Sequence, residues 1–366
     1  MRTFMIIMGV VAIVTTALPL SRHPAWWIRV LDFPRLQIFV IGFIALFWYW
    51  TFDRDAGAFG IVYTVLLTAS LGYQAWMIYP YTRLVRPQTE RCKNPDPNNT
   101  LSIMLANVLQ DNRNADGLRK IIRQNKADLV LLVETDDWWL EQLRDEFEDH
   151  PYQVLHPLDN TYGMVLFSRL ELIEPKVEYL IEEGVPSIRG RARLRSGRVV
   201  EIRCLHPPPP IPHLAETSEP RDAELIVVGK ENRENDVPFI VWGDLNDVAW
   251  SRTNYLFQNI SGLLDPRVGR GFYHTFHAKI PFLRFPLDHL FHSNHFRLVE
   301  FRRLGYFGSD HFPVFVKLCW EGDAEFNQDE PEPTPGELED AVDRAAYADE
   351  ASPNKEPEFV LNKPNS

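Results

Sequence analysis

The stretch FIVWGDLN, residues 239–246, joins four large apolar residues to a Gly-Asp-Leu-Asn ending. An apolar run of this length that is bounded by a turn signal predicts a strand buried on both faces. The strand ends at Asp244 and Asn246, whose side chains can bind a metal ion or a phosphate group. One such ending is also ordinary turn chemistry, so its interpretation depends on the other strands.

Three more apolar strands end in side chains of the same kind. Ligands collect at strand ends in layered α/β folds, because side chains leave the sheet there and loops give access. Each side chain alone also fits a structural role as a turn residue, a helix cap, a solvated carboxylate or a satisfied edge histidine. Since four structural explanations would have to hold at once, we favour a shared site. The strands and their last residues are LSIMLAN with Asn107, ADLVLLVE with Glu134 and VVEIRCLH with His206.

The segments around these strands predict a layered domain over residues 101–320. ADGLRKIIRQN has the apolar spacing of an amphipathic helix, and residues 221–231 supply another helix. Mixed helices and strands of this number predict an α/β or α+β architecture. The other predicted segments are the helix DDWWLEQLRDEF and the strands GMVLFS, SIRGRARL, PLDHLFHS and PVFVKLC.

The last predicted strand follows an adjacent aspartate and histidine, Asp310 and His311, in GYFGSDHFPVFV. A further carboxylate, Asp288, stands in PLDHLFHS. The histidines at 274, 277, 289, 292 and 295 are dense enough to suggest a second metal site. On a strand, however, such side chains alternate between faces, which favours structural roles for them.

Residues 1–81 predict a membrane anchor. Three apolar runs, 4–20, 36–52 and 59–79, lack charge over about the length that crosses a bilayer. Trp and Tyr residues lie near the ends of these runs, where their rings favour the headgroup level. The alternative, a cleaved signal peptide followed by two core helices, is weakened because the first run has no small-residue cleavage site. We expect a multi-pass protein of the plasma (inner) membrane that contacts the bilayer through residues 4–79.

The formal net charge of −12 is concentrated in the tail. Residues 321–366 hold 14 acidic and 3 basic residues, and their acid- and proline-rich composition predicts a disordered, solvated segment. Within it, LEDAVDRAAYA is compatible with a transient helix. Residues 82–100, with several Pro and Asn, predict a linker. The remaining charge divides into +4 for residues 1–99 and −5 for residues 100–320, so the domain lacks a basic nucleic-acid coat.

Loop charges favour a cytoplasmic domain. With the N-terminus outside, seven basic residues lie in the inner segments against Arg2 and Arg54 outside, as the positive-inside rule prefers. Because Arg2 stands beside the first span and favours the opposite orientation, the side stays open.

The cysteines suggest no special chemistry. Cys92, Cys204 and Cys319 are an odd number without metal-ligand spacing, which indicates neither a full disulfide framework nor a zinc site. Cys204 lies within a predicted strand and is expected to be a small core residue.

The ordered set of motifs resembles the endonuclease/exonuclease/phosphatase superfamily, whose members include pancreatic deoxyribonuclease, abasic-site endonucleases, neutral sphingomyelinases and inositol-polyphosphate phosphatases. The resemblance covers residues 101–320 and looks like that of a bacterial group with an N-terminal membrane segment. It implies a four-layer α/β sandwich, with two packed mixed sheets flanked by helices, after three transmembrane helices. The matching positions, in order, are Asn107, Glu134, YGMVLFSR, His206, GDLN, Asp288 and Ser309-Asp310-His311.

The resemblance implies a phosphoester hydrolase that depends on Mg²⁺ or Mn²⁺. Such hydrolysis needs a neutralised phosphoryl group, a nucleophilic water and a stabilised leaving oxygen. Hard oxygens for the metal would come from Glu134, helped by Asn107 and Asp310. The implied catalytic residues are His206, Asp244, Asn246, Asp288 and His311, with Asn246 contacting the phosphate.

Two assignments of the water-activating residue stay open. Asp288 would hold His311 in one tautomer, and His311 would serve either as the general base or as a donor to the phosphate. Asp244 is the other candidate for polarising the water. His206 would contact the phosphate or protonate the leaving oxygen. Many nucleases of the superfamily use one more acidic or tyrosine residue, for which Tyr162 is the candidate.

Three functions are compatible with the sequence. The first is a phosphodiesterase or endonuclease, with nucleic acid as a candidate substrate, although the domain lacks a basic stripe. The second is a lipid headgroup hydrolase of the sphingomyelinase or phosphoinositide-phosphatase type, because an anchor holds the site near its substrate. The third is a non-catalytic membrane scaffold, which would be expected to have lost the site residues. Nothing in the sequence indicates an obligate protein partner.

Overall fold

The computed structural model of the chain describes residues 1–53, 57–212, 214–235 and 237–353. Three helices near the N-terminus are long and apolar enough to span a membrane, and they coincide with the three predicted runs. The buried faces of these helices pack on one another, whereas large apolar side chains remain exposed on the outside, as bilayer contact requires. The helices of this segment are α1 (Arg2–Ala17), α2 (Trp26–Arg29), α3 (Arg35–Phe52) and α4 (Ala58–Ile78).

Two sheets follow. Their strands are β1 (Thr100–Asn107), β2 (Leu129–Val133), β3 (Tyr152–His156), β4 (Met164–Ser168), β5 (Glu171–Glu178), β6 (Ser187–Arg193), β7 (Val199–Leu205), β8 (Phe239–Asp244), β9 (Asp288–His292), β10 (Phe296–Arg303) and β11 (Val314–Trp320). The six-stranded sheet has the order β10-β11-β1-β2-β4-β3, and the five-stranded sheet has the order β5-β6-β7-β8-β9. Both sheets are mixed, because β1–β2 and β7–β8 are parallel and the other pairs are antiparallel.

Helices cover the outer faces of the two sheets and complete the four predicted layers. One apolar core lies between the sheets, and it includes Leu131, Ile202 and Trp242. A second core joins the six-stranded sheet to the helices on its outer face, and a third joins the five-stranded sheet to the helices on the other side. The covering helices are α5 (Ala115–Asn125), α6 (Asp137–Leu143), α7 (Glu219–Asn235) and α8 (Arg252–Ser261).

The two parallel strand pairs decide where the site can be. A parallel pair needs a crossover helix, which α5 supplies between β1 and β2 and α7 supplies between β7 and β8. The four carboxyl ends therefore lie at matching edges of the two packed sheets. These are the four strand ends whose polar side chains the sequence singles out.

The acidic tail contains a helix that the sequence analysis did not predict as stable structure. Helix α9 (Pro335–Ala351) begins with a capping box in which Thr334 and Glu337 exchange hydrogen bonds. It packs on α7 and α8 through two buried small residues, Ala341 and Ala348. The prediction of a disordered tail is therefore wrong for this segment, because a face made of alanines gives little signal in an acidic, proline-rich sequence.

The predicted linker is fastened to the folded domain rather than loose. Its backbone bridges β10 through Arg91 and Leu298, and Thr89 Oγ1 lies 3.0 Å from His292 Nε2. Cys92 forms a disulfide with Cys319 at the end of β11. The odd number of cysteines gave no indication of this disulfide. Cys204 is free and buried in the core, as predicted.

Candidate active site

Three of the four strand ends meet through one amide. The Asn107 Nδ2 atom donates to Glu134 Oε1 over 2.7 Å and to Asp244 Oδ2 over 3.0 Å. The Asn107 Oδ1 atom accepts from the Leu109 backbone N–H, which fixes the orientation of the amide. Asn107 therefore joins the carboxylates of the two sheets, and its nitrogen, not its oxygen, faces them.

The adjacent aspartate and histidine near the C-terminus complete this centre. His311 Nδ1 lies 2.7 Å from Asp288 Oδ2, and His311 Nε2 lies 3.5 Å from Asp244 Oδ2. Asp244 and Asp288 are register partners on β8 and β9, so the sheet itself sets their spacing. All three residues are buried. The sequence motif thus places the imidazole between two carboxylates that come from different strands.

Ser309 positions the histidine. Its hydroxyl donates to the Asn107 carbonyl oxygen over 2.8 Å, and it accepts from the His311 backbone N–H over 3.0 Å. The last loop is thereby tied to the end of β1. The sequence alone indicates no role for this serine, because a serine before an aspartate is common in turns.

Burial raises the pKa values of two carboxylates at the centre, Glu134 and Asp244. The pKa of Glu134 rises to about 7, chiefly through desolvation, with further upward effects from Asp244 and Asp310. Burial also raises the pKa of Asp244, against the lowering effect of His311. A cation between these two carboxyl groups would stabilise their ionised forms, which burial and mutual repulsion disfavour.

The pKa values of the two histidines of the site are shifted in opposite directions. Burial opposes the charge of His311, but Asp288 and Asp244 outweigh it and raise the pKa of that imidazole to about 10. Burial lowers the pKa of His206 to about 4. The His206 Nδ1 atom is buried and has no hydrogen-bond partner among the described residues. At neutral pH His311 is therefore cationic and His206 is neutral.

The GDLN turn holds its asparagine in a left-handed conformation. Asn246 has a φ of 51°, and its backbone N–H donates to Asp244 Oδ1 over 3.0 Å. Its Nδ2 atom donates to the Pro207 carbonyl oxygen, which ties the turn to the residue after His206. The turn begins at Gly243, where a Cβ atom would lie 1.8 Å from the Leu205 carbonyl oxygen, so only glycine allows this approach of β7 and β8.

A buried arginine, which the sequence analysis missed, supports this turn from behind. Arg221 on α7 donates from Nη1 to the Asn246 carbonyl oxygen over 2.9 Å and forms an ion pair with Asp222. Asp222 also pairs with Arg344 of α9 over 2.6 Å. No pattern in the sequence indicates the contacts with Asn246 and Arg344, because these residues lie far from Arg221 and Asp222 in the chain.

The other sequence-predicted residues lie around this centre. Asp310 is half-buried beside His311, and its charge helps to raise the pKa values of His311 and Glu134. The ring of Tyr162 lies 5.5 Å from that of His206, and burial raises the pKa of its hydroxyl to about 12. The structure therefore gathers all eight predicted site residues at one place, with Tyr162 at its edge.

The sequence matches the model of the Endonuclease/Exonuclease/phosphatase family over residues 101–311. This range covers more than half of the chain, and the chain belongs to that family. No curated protein matches the sequence significantly.

Several solved structures are similar to the chain, all at low identity. An endonuclease/exonuclease/phosphatase from Beutenbergia cavernae DSM 12333 is 17% identical, with a TM-score of 0.49 over 61% of this chain and 72% of that one. TDP2 from D. rerio, complexed with a single-strand DNA product, is 18% identical, with a TM-score of 0.47 over 60% and 98%. A mannosyl-6-phosphatase from Bacteroides thetaiotaomicron VPI-5482 is 18% identical, with a TM-score of 0.46 over 60% and 100%.

Enzymes of this family generally use divalent metal ions, and the donor set of this chain fits one. Asp244, Asp288 and His311 offer ligand atoms within 4.8 Å of one another. Because a protonated imidazole cannot bind a metal, the carboxylates are the donors of this group. The Asp288 Oδ1 atom is buried without a hydrogen-bond partner among the described residues. The half-buried Glu134, with its raised pKa, is also a carboxylate that a cation would stabilise in its charged form.

Proposed function

We propose that this chain is a membrane-anchored, Mg²⁺- or Mn²⁺-dependent phosphoester hydrolase that acts as a phosphodiesterase. The observation that carries the proposal is the charge imbalance of the site. Within the described part of the chain, no Lys or Arg forms an ion pair with Glu134, Asp244 or Asp288, and His311 is the cation beside them. Three carboxylates that share one histidine cation are costly to bury, so a site that keeps them is suited to bind a further cation.

We assign Glu134 as the principal metal ligand and Asp310, whose charge helps to raise the pKa of Glu134, as the second oxygen donor. Asn107 orients the Glu134 carboxylate through its amide nitrogen, which differs from the ligand role that the sequence suggests for it. A bound Mg²⁺ or Mn²⁺ ion would neutralise charge on the phosphoryl group. The hard oxygen donors favour these ions over softer metals.

The protonation states of His311 and Asp244 favour one of the two assignments of the water-activating residue. An imidazole with a pKa of about 10 carries its proton at neutral pH, so His311 serves as a donor to a phosphate oxygen. Asp288 holds that imidazolium in place. Asp244 then accepts the proton of the attacking water as the bond between phosphorus and the leaving oxygen breaks. The leaving oxygen takes the electron pair of that bond and is protonated by solvent water. The raised pKa of Asp244 suits a general base.

His206 and Asn246 complete the phosphate contacts. Because its pKa is about 4, His206 is neutral and acts as a hydrogen-bond donor rather than as the acid for the leaving oxygen. Asn246 keeps one amide hydrogen free of the Pro207 contact and directs it to the phosphate. These two groups lie on the five-stranded sheet, opposite Glu134 on the six-stranded sheet.

A lipid headgroup hydrolase is the second candidate, because the catalytic domain is bound directly to the anchor. Tyr81 Oη donates to the Ala249 carbonyl oxygen over 2.6 Å, and Trp250 Nε1 donates to the Asp32 carbonyl oxygen over 2.9 Å. Both contacts involve the segment that follows GDLN. A site held this close to a bilayer meets phospholipid at high local concentration.

The test uses the purified full chain in detergent with Mg²⁺, Mn²⁺ or a chelator. Its substrates are bis-p-nitrophenyl phosphate, p-nitrophenyl phosphate, plasmid DNA and sphingomyelin or phosphoinositide vesicles. We expect metal-dependent cleavage of the diester, lost in His311→Ala and Glu134→Ala. Cleavage of vesicles alone would select the lipid enzyme, and no turnover with any substrate would favour the scaffold.

We also propose that the catalytic domain faces the extracytoplasmic side. Disulfides persist mainly in oxidising compartments, and the Cys92–Cys319 pair supports that side against the charge rule. Two of the arginines behind that rule, Arg29 and Arg35, are buried in ion pairs with Asp32. In a bacterial host, alkaline phosphatase fused to the C-terminus should be active, and the same enzyme fused after residue 53 should not. The reverse pattern would place the domain in the cytoplasm.

A further inference from the structure

A basic groove opens where the chain leaves its third membrane helix. Its volume is about 630 Å³, and its walls come from the segment after α4 and from the loop that follows α8. Among the described lining residues there is one carboxylate, that of Glu90. The cations of this basic groove are Arg83, Arg86, Arg91, Lys93 and Arg270.

Most of these cations have no counter-ion among the residues that the structure describes. Arg86 pairs with Glu90 over 3.5 Å at an exposed position. Arg270 donates to the Thr89 and Pro266 carbonyl oxygens, which bear no net charge. For Arg83, Arg91 and Lys93, all exposed, the described residues supply no ion pair. The basic groove therefore carries a surplus of about four positive charges, which an anion would offset.

The basic groove is rigid. The Leu298 backbone N–H donates to the Glu90 carbonyl oxygen over 2.8 Å, and the Cys92 N–H donates to the Leu298 carbonyl oxygen over 3.0 Å. The Cys92–Cys319 disulfide holds the stretch between Arg91 and Lys93 against the end of β11. A segment fixed in this way loses little conformational entropy when a ligand binds.

Its position is that of a bilayer interface. The third candidate span ends at Tyr81, two residues before Arg83. Leu84 is 80% exposed and Trp76 is 75% exposed, as expected of side chains that contact lipid. Aromatic and basic residues at the end of a span lie at the level of the headgroups.

We propose that the basic groove binds the phosphate headgroups of anionic phospholipids in the membrane that holds the helices. A nucleic acid is disfavoured, because a long polyanion would extend over a domain whose residues 100–320 carry a net charge of −5. A headgroup is small enough to lie within the basic groove alone. This site is separate from the catalytic centre and does not depend on the proposed hydrolysis.

The test is a lipid titration of the delipidated full chain in detergent, followed by native mass spectrometry. Phosphatidylglycerol is the anionic probe and phosphatidylcholine the zwitterionic one. The variant R83Q/R91Q/K93Q removes three exposed charges of the basic groove. The matched control, K120Q/R144Q/K176Q, removes three exposed charges elsewhere, for which the described residues likewise show no ion pair.

We expect phosphatidylglycerol to bind the wild-type chain and the control at least about ten-fold more tightly than phosphatidylcholine. The groove variant should lose about a hundred-fold in affinity for phosphatidylglycerol, and Lys93→Gln alone about five-fold. Binding should weaken in 0.5 M salt. An unchanged unfolding temperature of the groove variant would show that the loss is not misfolding.

Four results would overturn the proposal. The two lipids could bind equally, or the control could lose as much affinity as the groove variant. Soluble glycerophosphate could compete as well as the lipid, which would assign the basic groove to free phosphate compounds. Duplex DNA could displace phosphatidylglycerol at lower concentration, which would assign it to nucleic acid.

Discussion

Strand β9 carries two neighbouring residues, Asp288 and His289, that belong to two different buried clusters. On one side of the sheet, Asp288 contacts His311 in the candidate active site. On the other side, His289 Nδ1 accepts from Arg267, which forms an ion pair with Asp265 over 2.8 Å. Each cluster combines a histidine with a carboxylate, and each is fully enclosed in the fold.

The difference lies in what is left unpaired. In the second cluster, Arg267 and Asp265 neutralise each other, and His289 Nε2 donates to the Asp247 carbonyl oxygen over 2.8 Å. In the first cluster, Asp288 Oδ1 has no hydrogen-bond partner among the described residues. Burial of polar groups alone therefore does not mark a reactive site. Unbalanced charge and unused hydrogen-bonding atoms do.

The largest effect is expected for Asp288→Asn. The amide keeps the shape of the side chain but cannot stabilise the imidazolium of His311, so the rate of phosphodiester cleavage should fall about a thousand-fold. Steady-state kinetics with bis-p-nitrophenyl phosphate measure this loss. Asp265→Asn serves as the matched control and should retain the activity of the molecules that stay folded. An equal loss of cleavage rate in both variants would mean that the two clusters do not differ in their contribution to catalysis.

Asp265→Asn should instead reduce stability. It leaves the Arg267 guanidinium buried without a counter-ion, which costs about 3 kcal/mol in the free energy of unfolding. Denaturant titration of the full chain in detergent measures the change. Asp288→Asn should cost less, because His311 can release its proton, whereas Arg267 cannot. A larger loss for Asp288→Asn would mean that the candidate active site is the main structural cluster.

The smallest effects are opposite pH dependences of stability in the presence of a chelator. The pKa of His311 is raised to about 10, so its contribution is complete below pH 6.5 and is lost as the pH rises towards 10. Burial and Arg267 hold the pKa of His289 well below 6.5, so the folded state loses stability as the pH falls through 6.5.

Unfolding temperatures between pH 4 and 10 test both slopes. His311→Gln should flatten the decline on the alkaline side, and His289→Gln should flatten the decline on the acidic side. If His311→Gln changed the acidic side of the unfolding-temperature curve, or His289→Gln its alkaline side, the assigned charge states of the two histidines would be wrong.

Much of the site could be predicted because its residues stand at the ends of apolar strands. The runs that end at Asn107 and Asp244 have strong local signals, and the topology of two parallel pairs then brings their ends together. The helix over residues 115–125 was also predicted with its bounds, because its apolar face is regular and Asn114 caps it.

The features that were missed depend on long-range partners. Arg221 and Asp222 contact GDLN and α9 only in the folded chain, and α9 buries alanines rather than large apolar residues. Strand β5 was also missed, because it lies at the edge of its sheet and most of its residues are at least partly exposed. Such elements are stabilised by tertiary context, which local patterns do not record.

The most direct test of the central claim is a calorimetric titration of the full chain with Mg²⁺ and Mn²⁺. We expect the wild-type chain and folded Asp265→Asn to bind the ion equally, and Glu134→Gln to bind it at least about ten-fold more weakly. No binding by the wild-type chain, or unchanged binding by Glu134→Gln, would contradict the assignment of a metal-dependent centre to these strand ends.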